Sequence, residues 1–225
     1  SHKQTHNTTP MKKLILAAIA ITCAVSVFAQ GTITFNNRTT AGFSRVWGPA
    51  PGNPSLSLQG NSPTVDNPPG VVDYAAQGMT LLAGPNYFAQ LIGAEGQNMP
   101  EASLVPQGGT ATFRTGAAAG FLFPTIVTLS TINKDVPWAT FQLVAWDNSS
   151  GLYPTWAEAF PAWQELKIAA GKSLVFNVDS IGGDVNTPPF LTGLTSFNIY
   201  FIPEPGSFAL LGLGAAALLI FRRRK

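Results

Sequence analysis

The sequence predicts an all-β protein. The expected body is a single β-sandwich, jelly-roll or immunoglobulin-like, with one short helical insertion. An N-terminal signal helix and a C-terminal transmembrane helix are expected to flank it. Three observations predict this. Short segments rich in β-branched and aromatic residues alternate apolar and polar side chains along the body. Loops between them take up many of the chain's 22 Gly and 18 Pro. Helix signals gather in one stretch only, residues 155–171. No repeat of fixed period is present, which argues against a propeller or a solenoid.

The elements follow in order. Residues 31–37 alternate and read as a first strand. Residues 38–69 are rich in Pro, Gly, Asn and Ser and read as a long loop, with one short strand at 55–59. A turn at 84–86 leads into a strand at 87–92. A short strand at 111–114 precedes the Gly-rich loop 116–120. Residues 125–132 are β-branched and alternating. Residues 139–147 read as a central strand, with Phe141, Leu143 and Ala145 on one face and Gln142 and Val144 on the other. Thr155 can cap a helix over 156–160. Pro161 fits the first turn of a second segment, 162–170, that stops at Gly171. Residues 173–178 and 196–201 close the series as strands.

Both ends of the chain carry address signals. Residues 1–10 precede Met11 and read as upstream or non-native. Residues 11–29 read as a signal peptide, with Lys12 and Lys13 before an apolar run. Signal peptidase cleavage is expected between Ala29 and Gln30. Cys23 offers a lipoprotein alternative, but Thr22 stands where a small Gly or Ala is wanted. The extracellular domain is then residues 30–202, and residues 203–225 form a separate tail.

That tail reads Pro203-Glu204-Pro205, an uncharged run at 206–221, and Arg222-Arg223-Arg224-Lys225. Sixteen helical residues span about 24 Å, a little under a hydrocarbon core of about 30 Å. The long stems of the terminal cations can snorkel to cover the difference. Four cations after an apolar run make a stop-transfer signal that stays cytoplasmic. Pro203 and Pro205 disfavour helix and leave an accessible peptide in front of it. A permanent anchor and a buried C-terminal helix are the alternative readings.

The motif, the Gly/Ala/Leu-rich run and the basic end together resemble the bacterial PEP-CTERM sorting signal. The resemblance implies export and an inner-membrane anchor before processing. It also implies cutting by an exosortase, a membrane transpeptidase of bacteria that make exopolysaccharide, and then delivery to the cell surface or beyond. Residues 31–37, 87–91, 113–116 and 144–147 resemble uncharacterised surface proteins with the same tail, which imply no activity.

Export changes the meaning of the charge. The whole chain has 13 cations and 11 acids. Residues 30–205 keep only six of the cations (Arg38, Arg45, Arg114, Lys134, Lys167, Lys172) but all 11 acids, a net charge near −5. That excludes a basic footprint for nucleic acid and a polybasic membrane patch on the body. Cys23 is the single Cys, and His2 and His6 both precede Met11. The mature domain therefore has no disulfide, no Ser-His-Asp triad, no Cys-His pair and no His/Cys zinc site. No catalytic residue, no activity and no cofactor are assigned.

Carboxylates and aromatics remain. Glycosidases need two carboxyls about 5–9.5 Å apart. Glu158 with Glu165, and Glu95 with Glu101, are candidates for such a pair or are surface acids. Asp179 and Asp184 sit in a Gly-rich loop with oxygen ligands of the type calcium takes, or they solvate a turn. Five Trp could offer a flat face to a sugar ring. Core or loop packing is the default for each Trp, and Trp47, in a Pro/Gly loop, is the candidate for a saccharide contact. Trp146 is expected in the core, and Trp156 and Trp163 between helix and sheet. The expected function is a non-enzymatic surface or matrix protein. A carbohydrate-binding module for exopolysaccharide is the alternative, and a carboxylate-dependent glycan-active enzyme the more distant one.

Overall fold

The computed structural model describes residues 30–39 and 42–203. Among them the elements run β1 (Gln30–Phe35), β2 (Val46–Trp47), β3 (Gly84–Glu95), β4 (Val105–Phe113), β5 (Thr125–Asn133) and β6 (Trp138–Asp147). After β6 come α1 (Trp156–Gln164), β7 (Ala170–Lys172), β8 (Phe176–Asp179) and β9 (Phe197–Asn198). The fold is all-β apart from α1 and short 3-10 turns. The signal segment and the transmembrane tail lie outside the described residues. Among the described residues no helix is long and apolar enough to cross a membrane.

β6 organises the main sheet. It pairs antiparallel with β3 from Tyr87↔Asp147 to Glu95↔Ala139 without a slip. β4 continues beyond β3 with register shifts near Phe88 and Leu91. On its other edge β6 meets two short strands in tandem, β7 at Val144–Trp146 and β8 at Trp138–Phe141. The strand expected over 173–178 forms only from Phe176, as β8; residues 173–175 turn a corner, and Ser173 holds it. The Leu143 N–H donates to Ser173 Oγ at 3.0 Å, and the Ser173 N–H donates to the Leu143 carbonyl at 2.9 Å.

Both faces of β6 are buried, and its alternation splits them. Phe141, Leu143 and Ala145 enter the larger core with Ile33 and Phe35 of β1 and Val127, Leu129 and Ile132 of β5. The paired strands β1 and β5 therefore lie over that face. Val144 and Trp146 point the other way and meet Trp156, Ala159 and Trp163 of α1. The sequence places these side chains correctly. It places boundaries less well. The strand expected at 87–92 runs from Gly84 to Glu95, and the one at 111–114 from Val105 to Phe113.

The helix corrects a second expectation. Its start is as predicted: the Thr155 N–H and hydroxyl each donate to the Glu158 carboxylate at 2.9 Å. It then runs through Pro161 as one element and ends at Gln164. The Leu166 N–H donates to the Trp163 carbonyl and the Lys167 N–H to Ala162, with Leu166 at φ 63°. This is a Schellman ending, normally built on Gly. With Leu in that place the stop was not visible in the sequence. Ala170, expected as the last helical residue, instead opens β7.

The long loop has its own small core of Trp47, Ala50, Tyr74 and Met79. No strand forms at 55–59. The Asn198 side chain serves that segment instead: it accepts from the Leu58 N–H at 2.7 Å and donates to the Leu56 carbonyl at 2.9 Å. The strand expected at 196–201 shrinks to Phe197–Asn198, parallel to β2. Tyr200 and Ala170 still exchange two backbone bonds, and the Phe201 N–H donates to the Pro54 carbonyl at 2.9 Å.

Gly171 lets β7 pack directly against β9. A Cβ there would lie 2.2 Å from the Asn198 carbonyl oxygen. Gly171→Ala should therefore cost about 1–3 kcal/mol by forcing the two segments apart. Chemical denaturation of this variant beside wild type measures it; equal midpoints would contradict the packing described.

Candidate functional site

Trp47 is not an exposed platform. It is 5% exposed and stacks on Tyr74 with ring centroids 5.0 Å apart and planes 5° apart. The Pro/Gly loop closes over its own apolar residues, so the loop composition that suggested exposure instead produces a buried stack. Trp146 is fully buried, as expected, and Trp156 and Trp163 pack α1 onto the sheet. Trp138, at 38%, is the most exposed of the five.

The aromatic helix does line a cleft. Trp156 and Phe160 form one side with Ile92 and Leu104, and the volume is about 510 Å³. Lys172 and Glu101 pair at its rim. Glu101 is the one carboxylate lining it, and Lys172 matches that charge. The other candidate acids have local partners. Glu158 is held by Thr155, and Glu165 meets Lys167 at 2.5 Å. Glu95 accepts from the Asn133 N–H at 3.1 Å and from Asn133 Nδ2 at 2.8 Å.

The loop at 179–186 is organised by a residue the sequence reading missed. The Asp135 carboxylate accepts three backbone N–H groups, from Asp184 (2.8 Å), Val185 (3.1 Å) and Asn186 (2.8 Å). The Asn186 bond does most to lower the Asp135 pKa below the usual carboxylate value, with the Asp184 and Val185 bonds adding to it. The signal was present as Lys134-Asp135 after a β-branched strand, and Asp135 takes φ 57° there. Lys134 pairs with Asp184, while Asp179 is exposed at the end of β8. Among the described residues no three His, Cys, Asp or Glu side chains are grouped for a metal ion.

A third place was not anticipated. Phe121 is buried, and two guanidinium groups lie over its ring. The Arg45 group is 4.6 Å from the ring centroid and the Arg38 group 5.4 Å. The Arg114 N–H donates to the Phe121 carbonyl at 2.8 Å. Asn37 fixes this segment. Its Nδ2 donates to the Ser44 and Gly120 carbonyls, both at 2.8 Å, and its Oδ1 accepts from the Leu122 N–H at 2.8 Å. Beside it opens a cleft of about 280 Å³, whose lining includes Asn37, Thr39, Ser44, Asn61 and Thr195. The Thr195 hydroxyl is buried there without a partner. Below Arg45, Asp66 accepts from the Ser62 N–H at 2.6 Å and from the Ser196 hydroxyl at 2.7 Å. Burial raises the Asp66 pKa; these bonds and Arg45 oppose the rise.

The tail is decided by comparison. The family model for the PEP-CTERM protein-sorting motif matches residues 201–225. The chain carries a PEP-CTERM sorting signal. The match begins at Phe201, the residue bonded to Pro54, and includes the expected motif Pro203, Glu204 and Pro205. The PEP-CTERM signal implies an exported protein, processed by an exosortase and sorted to the cell envelope or surface. No curated protein and no solved structure matches the chain. At the other end, Gln30 opens β1 and is exposed, while Ala29 lies outside the described residues.

Two outcomes follow. Trp47→Ala should lower stability by about 3–5 kcal/mol, the cost of emptying a buried aromatic site; denaturation midpoints check it, and an unchanged midpoint would restore an exposed role. Asp135 has a depressed folded pKa, so its contribution is present above the unfolded value near ~3.9 and lost as pH falls through the folded one. Amide exchange of residues 184–186 should therefore accelerate as pH drops below about 4, after allowance for the intrinsic rate. Asp135→Asn should show fast exchange at every pH.

Proposed function

We propose that this is a structural or adhesive protein of the bacterial surface, without catalytic activity. Its body is a two-layered β-sandwich, jelly-roll or immunoglobulin-like in kind. A signal peptidase cuts between Ala29 and Gln30, the tail anchors the precursor in the inner membrane, and the exosortase then processes it near Pro203. The observation that carries the surface location is the match at residues 201–225. The absence of His and Cys from residues 30–203 supports the non-enzymatic part, as do the local partners of Glu95, Glu101, Glu158 and Glu165. No cofactor is needed for such a role.

A second reading, binding of exopolysaccharide, is favoured by the cleft beside Trp156 and Phe160. Aromatic walls and a charged pair at the rim suit a sugar with both an apolar face and polar edges. This reading moves the saccharide contact away from Trp47.

Replacing Glu204 and Pro205 by Ala tests the sorting. In a host with an active exosortase, the variant should stay full-length in the membrane fraction while wild type is shortened and released or transferred. Equal processing of both would overturn it.

A further inference from the structure

The body's six cations divide by type. Lys134, Lys167 and Lys172 each meet an acid within 4 Å. Among the described residues Arg38, Arg45 and Arg114 form no salt bridge. The acids outnumber the cations, so counter-ions are not in short supply. Yet two of these arginines are gathered on one ring, with Arg38 exposed and Arg45 half-buried. Two like charges held close repel one another. Burial lowers the Arg45 pKa, Asp66 raises it, and Arg38 lowers it further. The phenyl face offsets part of the cost. An anion seated between the two guanidiniums would offset more, and a carboxylate is one of the groups whose geometry a guanidinium fork matches.

The neighbouring cleft narrows the class. Asn37 and Thr39 flank Arg38 in sequence, and Ser44 precedes Arg45, so each arginine is next in the chain to a residue of the cleft wall, and the Arg38↔Phe43 bridge joins the two segments. Its polar lining is amide and hydroxyl, the groups that pair with sugar hydroxyls. The unpartnered Thr195 hydroxyl is one such group. We infer that Arg38, Arg45 and this cleft bind an acidic saccharide, with the carboxylate of a uronate residue on the two guanidiniums and its hydroxyls in the cleft. The inference goes beyond the proposed surface role by naming a ligand. It rests on the surface location only for its biological setting.

The test uses the full chain in detergent, with polygalacturonate as probe and neutral dextran as control, at physiological salt. Saturable binding to polygalacturonate and none to dextran is expected. Arg38 is exposed, so Arg38→Ala should keep the wild-type melting temperature. It should weaken binding about tenfold, the loss expected for one charge-assisted contact. Arg38→Lys should recover part of this, and Thr195→Val should weaken binding without lowering stability. Free galacturonate should compete far better than acetate. Absence of binding, equal binding by wild type and Arg38→Ala, or equal binding to dextran would overturn the site. Acetate competing as well as galacturonate would reduce it to a bare anion site and overturn the saccharide. None of these outcomes touches the tail, so failure here leaves the sorting result standing.

Discussion

The structure depends on one strand being buried on both faces. The domain has no disulfide to restrain its unfolded chain, so apolar burial must offset the conformational entropy of folding. β6 supplies the template. Its even set of side chains needs a cover, and its odd set needs another. The β1–β5 ribbon answers one demand and α1 the other. The nine-residue pairing with β3 fixes the register, because a slip by one would exchange the two faces.

The sequence made this centre legible because alternation survives without knowledge of partners. Phe141, Leu143 and Ala145 could be assigned to one face from spacing alone, and Thr155 announced the helix start. What was hidden depended on side chains acting as backbone. Ser173 completes the edge of β6 at Leu143, and Asn198 stands in for a strand partner at residues 56–58. Leu166 ends the helix in a conformation that usually signals Gly. None of these has a periodic signature. Trp47 misled for a related reason: a loop of more than 30 residues built its own core, which composition reads as exposure.

The candidate site was less legible than the fold. The tail announced itself through three contiguous parts in fixed order. Arg38 and Arg45 come from one stretch and Phe121 from a distant one, and Asn37 links them through its bonds to Ser44, Gly120 and Leu122. Asp135 was hidden similarly, since its three donors lie some fifty residues away. Contacts of that span are a property of topology and leave no local spacing to read.

The docking of Tyr200 and Phe201 has a mechanical consequence. Only two residue steps, about 7 Å of extended chain, separate Phe201 from Pro203. A pull applied at Pro203 would therefore reach the body with almost no slack. Tension applied through that tail would first load the Phe201–Pro54 bond, then the paired bonds of Tyr200 and Ala170. The indole of Trp163, which donates to the Tyr200 carbonyl at 2.8 Å, would carry the pull into α1.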